Sequence, residues 1–295
     1  MTYRPAVPAA LIQDLVARAL AEDLGSGDVT TQGLFDSAVP ARGTIIVEEP
    51  ERLVVAGLTV AVEVFAQVDP TLECSASLAD GDRATRSTVI LTITGDGRSM
   101  LKGERVALNF LQRLSGIATL TTKFCEAVTG YRVKIVDTRK TTPGLRILEK
   151  LAVTFGGGYN HRQSLADGIL IKDNHLALAD GDVARACRLA RERAPHGLKI
   201  EVEVQTLDQV RAAIDGGADI ILLDNMDLPS IRKAVDLIKG RTLIEVSGGV
   251  TLANVREIAA AGPDLISIGA LTHSAPAANL SMDIVPARGR RSKKR

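Results

Sequence analysis

A chain of 295 residues, 45% of them hydrophobic, has the length for one large domain or two ordinary ones and enough apolar mass for a substantial core. With 3% aromatic residues and no Trp, that core must be built from Ala, Val, Leu and Ile, which favours α/β layering over a β-sandwich. The formal charge of +1 hides an asymmetry: six of the last eight residues, from Arg288 to Arg295, are cations, so the rest of the chain is net acidic and no nucleic-acid partner is expected.

Near the start, Leu11, Ile12, Leu15, Val16, Ala19 and Leu20 recur at helical spacing after Pro8. The predicted helix runs out into EDLGSGDVTT (22–31), which reads as an exit with Asx and Ser/Thr turns. Arg4, Asp14, Arg18, Glu22 and Asp23 interrupt every apolar stretch here, so neither a secretory leader nor a membrane span is expected. From about 41 to 94 the pattern is β: GTIIVEE, RLVVAG and STVILTITG are Val/Ile/Thr runs separated by Gly, Pro and Asp. Residues 103–128 return to helical period, with a break expected at Ser115 and Gly116, where a boundary is placed between domains 1–115 and 116–270.

Beyond that boundary, apolar β runs alternate with helical segments: VKIVD (133–137), GILIKD (168–173), KIEVEV (199–204), DIILLD (219–224), TLIEVS (242–247) and DLISIG (264–269). The last four begin 20 to 23 residues apart, the length of one βα unit. Such units build a barrel or a doubly wound sheet, and no GxGxxG follows the first strand to support the second. Residues 286–295 are expected to be a disordered basic tail. Cys74, Cys125 and Cys187 are odd in number and in no metal or redox spacing, which fits a reducing cytoplasm and three ordinary thiols.

In an α/β barrel the site is assembled from the carboxyl ends of the strands. Those ends carry Asp137, Thr138, Arg139 and Lys140, then Lys172, then Glu201 and Glu203, then Asp224, then Ser247, Gly248 and Gly249, then Ser267, Ile268 and Gly269. Cations come early, together with His161 and Arg162 of GGGYNHR, and point to a polyanionic substrate, because Arg matches carboxylate and phosphate bidentately. Glu203 and Asp224 could share a Mg²⁺ with a phosphate, or Glu201 or Glu203 could simply pair with Lys140 or Lys172. The late SGGV and SIGA turns, each before a helical segment, have the make-up of a phosphate cradle. His175 and His273 are read as buried structural residues without a catalytic role.

The strings EDLGSGDVTT, GERVALNFLQRLSGIAT, DTRKTTPGLR, GGGYNHR, IKDNH, EVEV, LLDNM, VSGGV and SIGALTHS lie in order over nearly the whole chain and together resemble the quinolinate phosphoribosyltransferase family. The resemblance implies an N-terminal α/β sandwich, an incomplete α/β barrel of about seven strands, a return of residues 271–285 to the N-terminal domain, and a homodimer with shared sites. It also implies the reaction: quinolinate nitrogen takes the phosphoribosyl group of 5-phosphoribosyl 1-pyrophosphate, and CO₂ is lost to give nicotinate mononucleotide, with Mg²⁺ as cofactor. By the same resemblance Arg139, Arg162 and Lys172 meet the dicarboxylate with Thr138 and His161 beside them, and Arg105 reaches the pocket from the partner subunit. Lys140, Glu203 and Asp224 serve the departing pyrophosphate, while Ser247, Gly248, Gly249, Ser267, Ile268 and Gly269 hold the 5-phosphate. From the residues alone, a Schiff-base lysine at Lys140 or Lys172 and a non-catalytic anion-binding barrel also stay open.

Overall fold

The computed structural model describes residues 6–287, so the expected basic tail lies outside the described residues from 288 onward. It separates into two compact units. One is Thr121–Arg146 with Gly157–Ser274; the other takes 6–120, Ile147–Gly156 and 275–287. The division therefore falls a few residues after the boundary expected at 115/116 and moves one helix, Arg146–Phe155, into the N-terminal unit.

The N-terminal unit is built on an antiparallel sheet. Its strands are β1 (Pro40–Val47), β3 (Glu73–Ala76), β5 (Val89–Asp96) and the late β12 (Leu280–Pro286), while β2 (Leu53–Val54) and β4 (Arg83–Ala84) form a separate short ladder. The sheet order is β12-β1-β5-β3, with β12 paired along β1 from Ala41↔Pro286 to Val47↔Leu280. Ile45, Leu91 and Ile93 are fully buried, and so are Val64 and Phe65 of the helix Leu58–Val68. That helix falls inside the stretch whose composition reads as β, because four of its eleven residues are Val and its period is too short to stand out.

Two further local expectations are corrected. EDLGSGDVTT is not only a helix exit: Asp28 Oδ1 accepts the Thr31 N–H at 3.0 Å and caps a second helix, Val29–Leu34. The helix Gly97–Ala127 runs unbroken through Ser115 and Gly116. Ser115 is buried and exchanges two hydrogen bonds with Ala56, and a Cβ at Gly116 would lie 2.0 Å from the Pro276 carbonyl oxygen. The glycine permits close backbone approach and does not end the helix.

The second unit holds six parallel strands: β6 (Lys134–Val136), β7 (Ile169–Ile171), β8 (Ile200–Val204), β9 (Ile220–Asp224), β10 (Leu243–Ser247) and β11 (Leu265–Ser267). Their order, β6-β11-β10-β9-β8-β7, is that of an incomplete α/β barrel, with β6 and β7 as the unpaired edges. The expected seventh position is represented by one residue, Tyr159, which bridges Val136 in parallel. Register is pinned at the amino ends, where Asp219 Oδ2 accepts the Ile200 N–H at 2.7 Å and Asp264 Oδ2 accepts the Ile244 N–H at 2.9 Å. Among the described residues no helix is long and apolar enough to cross a membrane.

Candidate active site

Parallel strands buried on both faces read as continuous apolar runs, so a polar residue inside one must face a lined interior. At the carboxyl ends of β6 to β11 the structure opens a cavity of about 660 Å³. It brings together Thr138, Arg139, Lys140, His161, Arg162, Lys172, Glu203, Asp224, Ser247, Gly248, Gly249, Ser267, Ile268 and Gly269. Arg105, the remaining expected residue, belongs to the other unit, where it is exposed on the helix Gly97–Ala127.

The cationic end is shaped by Asp137, which follows β6 and is fully buried. Its Oδ1 accepts the His161 N–H at 2.9 Å and its Oδ2 the Asn160 amide at 2.6 Å, clamping the loop that carries Arg162. The turn after Asp137 is fastened by Arg146, whose guanidinium bonds Thr141 Oγ1 at 3.0 Å and the carbonyls of Gln163 and Arg139. Arg146 is thereby structural, while Arg139 faces the cavity with its Nε buried and unbonded. Arg162 bonds the Gly168 carbonyl at 2.9 Å, and burial together with the Arg139 charge pushes its pKa down. Two guanidiniums held against their own repulsion form a site for an anion.

Lys172 Nζ contacts Glu203 Oε2, so the ion pair weighed from the sequence forms with this lysine and this glutamate. Glu201 lies deeper, 4% exposed, with Oε2 3.0 Å from His161 Nε2. His161 Nδ1 accepts the Arg162 N–H at 2.7 Å, which assigns the ring as a neutral Nε2–H tautomer and not as a further cation. At the mouth, Asp224 ends β9 with Oδ2 accepting from the Asn225 side chain at 2.9 Å. The donors suit Mg²⁺: two carboxylates on neighbouring strands in a hydrophilic cavity, with oxygens to spare for a hard cation that takes its other ligands from phosphates.

The glycine end differs from expectation in two ways. The helices after the SGGV and SIGA turns, Val255–Ala260 and Ala270–His273, are only 6 and 4 residues long, so an anion there relies on turn amides. The Ile268 amide is already committed to the Val136 carbonyl at 2.9 Å. Gly248 and Gly249 have φ of 90° and 61°. A Cβ at Gly248 would come 2.2 Å from Asn225 Oδ1, and one at Gly269 about as close as 3.0 Å to Lys140 and 3.1 Å to His273.

Among the lining residues, Glu245 was missed and His273 misread from the sequence, while Asn225 stands at a strand end with Asp224. Asn225 adopts φ of 53°, rare outside glycine and a signal visible only in the backbone. His175 and His273 are both exposed, contrary to the buried roles expected. His175 Nδ1 accepts the Lys172 N–H at 3.0 Å, and His273 lines the cavity.

Comparison with known proteins bears on this geometry. The family profile described as quinolinate phosphoribosyl transferase, C-terminal domain, matches residues 117–283, and the profile of the N-terminal domain of the same family matches 28–115. The chain is 43% identical over 288 residues to the probable nicotinate-nucleotide pyrophosphorylase (carboxylating) of Synechocystis sp., covering 97% of this chain and 96% of that one. It is 44% identical over 264 residues to the Bacillus subtilis protein of the same name, covering 89% and 90%. The crystal structure of NadC from Streptococcus pyogenes is similar with a TM-score of 0.91 at 43% identity, over 96% of this chain and 99% of that one.

Proposed function

The chain belongs to the quinolinate phosphoribosyltransferase family, and from that premise we propose how its cavity carries out the transfer of a phosphoribosyl group from 5-phosphoribosyl 1-pyrophosphate to quinolinate with loss of CO₂. The observation that carries the reading is the pairing of Arg139 and Arg162 in one cavity with Lys172, a receptor for two adjacent carboxylates. Thr138 and the neutral His161 complete that end, His161 by holding Arg162 in place through its main chain.

With quinolinate so held, its ring nitrogen is presented to the anomeric carbon of the second substrate. The bond to pyrophosphate breaks with charge growing on the leaving group, where the Lys140 ammonium balances it. Glu203 and Asp224 would hold Mg²⁺, which when bound neutralises pyrophosphate and so eases its departure. Lys172, paired with Glu203, links the two halves of the site. The amides of Gly248 and Gly249, with Ser247, Ser267 and Gly269, take the 5-phosphate. Once ribosylated, the ring nitrogen is cationic and stabilises the electron pair that CO₂ leaves on C2, so the site needs no nucleophile and the Schiff-base alternative falls away.

Arg105 is exposed on its helix, and the family resemblance supports a homodimer in which it completes the partner's dicarboxylate pocket. Three free thiols favour the cytoplasm, and recovery of the protein outside the soluble fraction of cells would overturn that placement. The arginine roles are tested together. Arg139→Ala and Arg105→Ala should each lower quinolinate affinity by about tenfold or more, as loss of a charge-assisted hydrogen bond does. Unfolded and refolded as a mixture they should regain activity, because half-mutant dimers keep one intact site. Normal affinity in Arg139→Ala would contradict the receptor, and no recovery in the mixture would contradict shared sites.

A further inference from the structure

The reading above leaves an acidic pair without a task, Glu245 lining this cavity and a second one and Glu201 lining the second. Glu201 on β8 and Glu245 on β10 are 4% and 1% exposed, and each has a buried Oε1 without a hydrogen-bond partner. His161 Nε2 lies 3.0 Å from Glu201 Oε2 and 3.8 Å from Glu245 Oε1. Three such ligand atoms within 4.8 Å of one another could suit a metal ion. The tautomer argues otherwise: with Nδ1 accepting the Arg162 N–H, Nε2 carries the hydrogen and has no lone pair to offer a metal. That hydrogen serves Glu201, and Glu245 is left facing a like charge in a buried place.

A proton on Glu245 removes the repulsion. The groups that face it are Glu201, His161, Lys172 and the Ser267 hydroxyl, while its sheet neighbours Leu222 and Leu265 carry no charge. Burial, and then the Glu201 charge, push its carboxyl up to about 7, against the opposing pull of the Ser267 hydroxyl and the Lys172 charge.

We propose that Glu245 is the acid that protonates pyridine C2 after CO₂ leaves, an assignment that rests on the phosphoribosyl-transfer reading of this site. When the bond from C2 to the carboxylate breaks, CO₂ departs without the electron pair, which stays on C2 beside the cationic nitrogen. The pair takes the proton of Glu245 as its O–H bond breaks, a C2–H bond forms, and Glu245 is left as a carboxylate. Water restores that proton. Glu245 also lines a second cavity of about 390 Å³, large enough for water, where Tyr159, Asn160 and Lys199 add polar groups to a largely apolar lining.

The test is the pH dependence of kcat and of KM for quinolinate in the full chain and in Glu245→Gln, which keeps an acceptor for Ser267 but has no proton to give. The variant should lose at least about tenfold in kcat, against the 10²–10⁴ that general acids contribute, with quinolinate KM held within about threefold. The wild-type kcat should decline as pH rises through about 7, where Glu245 ionises, and that decline should vanish in the variant. If the glutamine variant fails to fold, Glu245→Asp must keep a decline at displaced pH. Unchanged kcat, or a lowered kcat with the wild-type pH profile, would overturn the assignment. A wild-type protein that does not turn over quinolinate would overturn the reaction itself, and the wild type alone reveals that case.

Discussion

Gly248 is where a single residue most clearly governs the site. Its φ of 90° and the 2.2 Å approach of a built Cβ to Asn225 Oδ1 mean that only glycine leaves room for the Asn225 side chain beside Asp224. Gly248→Ala should raise the KM for 5-phosphoribosyl 1-pyrophosphate by about tenfold or more, since small misplacements in such sites are costly, and leave quinolinate affinity near that of wild type. An unchanged KM for the phosphoribosyl donor would contradict the phosphate cradle. Residues of this kind divide by how legible they are. Arg139, Lys172 and Asp224 stand at strand ends, so period and polarity reveal them. Glu245 is the middle residue of LIEVS, where one polar side chain among apolar ones fits an outward or inward face equally; only its pairing with Leu222 and Leu265 in a closed-over sheet turns it inward. The charge state of His161 was likewise hidden, because it depends on a backbone N–H one residue away.

At the scale of elements, the barrel strands were legible because each is an apolar run that recurs at the length of one βα unit. The seventh was not, since Tyr159 contributes a bridge of one residue with no run around it. The unbroken helix Gly97–Ala127 was misjudged for the opposite reason: a Ser-Gly pair is a local breaker signal, overridden here by tertiary contacts that no local window contains. Those contacts make a prediction. Replacing Gly116 by Ala gains up to about 1 kcal/mol of helix propensity. The new Cβ, 2.0 Å from the Pro276 carbonyl oxygen, meets backbone that cannot rotate aside and costs about 1–3 kcal/mol or more. The clash should win, so Gly116→Ala should lower the melting temperature, and a melting temperature equal to or above that of wild type would contradict the close approach.

Across the whole molecule, one cavity gathers Arg139, Arg162 and Lys172 with Glu203 and Asp224 and with Gly248, Gly249 and Gly269, cations and carboxylates meeting at the Lys172–Glu203 contact. In the proposed function the cations take the dicarboxylate, the carboxylates the phosphates and their metal, and the glycines the 5-phosphate. That distribution was readable from the order of strand ends along the chain, whereas the sharing of sites between subunits rests on one exposed residue, Arg105. The central claim is that this arrangement joins quinolinate to a phosphoribosyl group and releases CO₂. The most direct measurement is a turnover assay of the purified chain with quinolinate, 5-phosphoribosyl 1-pyrophosphate and Mg²⁺, following CO₂ and nicotinate mononucleotide together, with nicotinate in place of quinolinate as the control. The account predicts equal amounts of both products from quinolinate and none from nicotinate, which lacks the second carboxylate. Equal turnover of nicotinate, or quinolinate bound without release of CO₂, would contradict it.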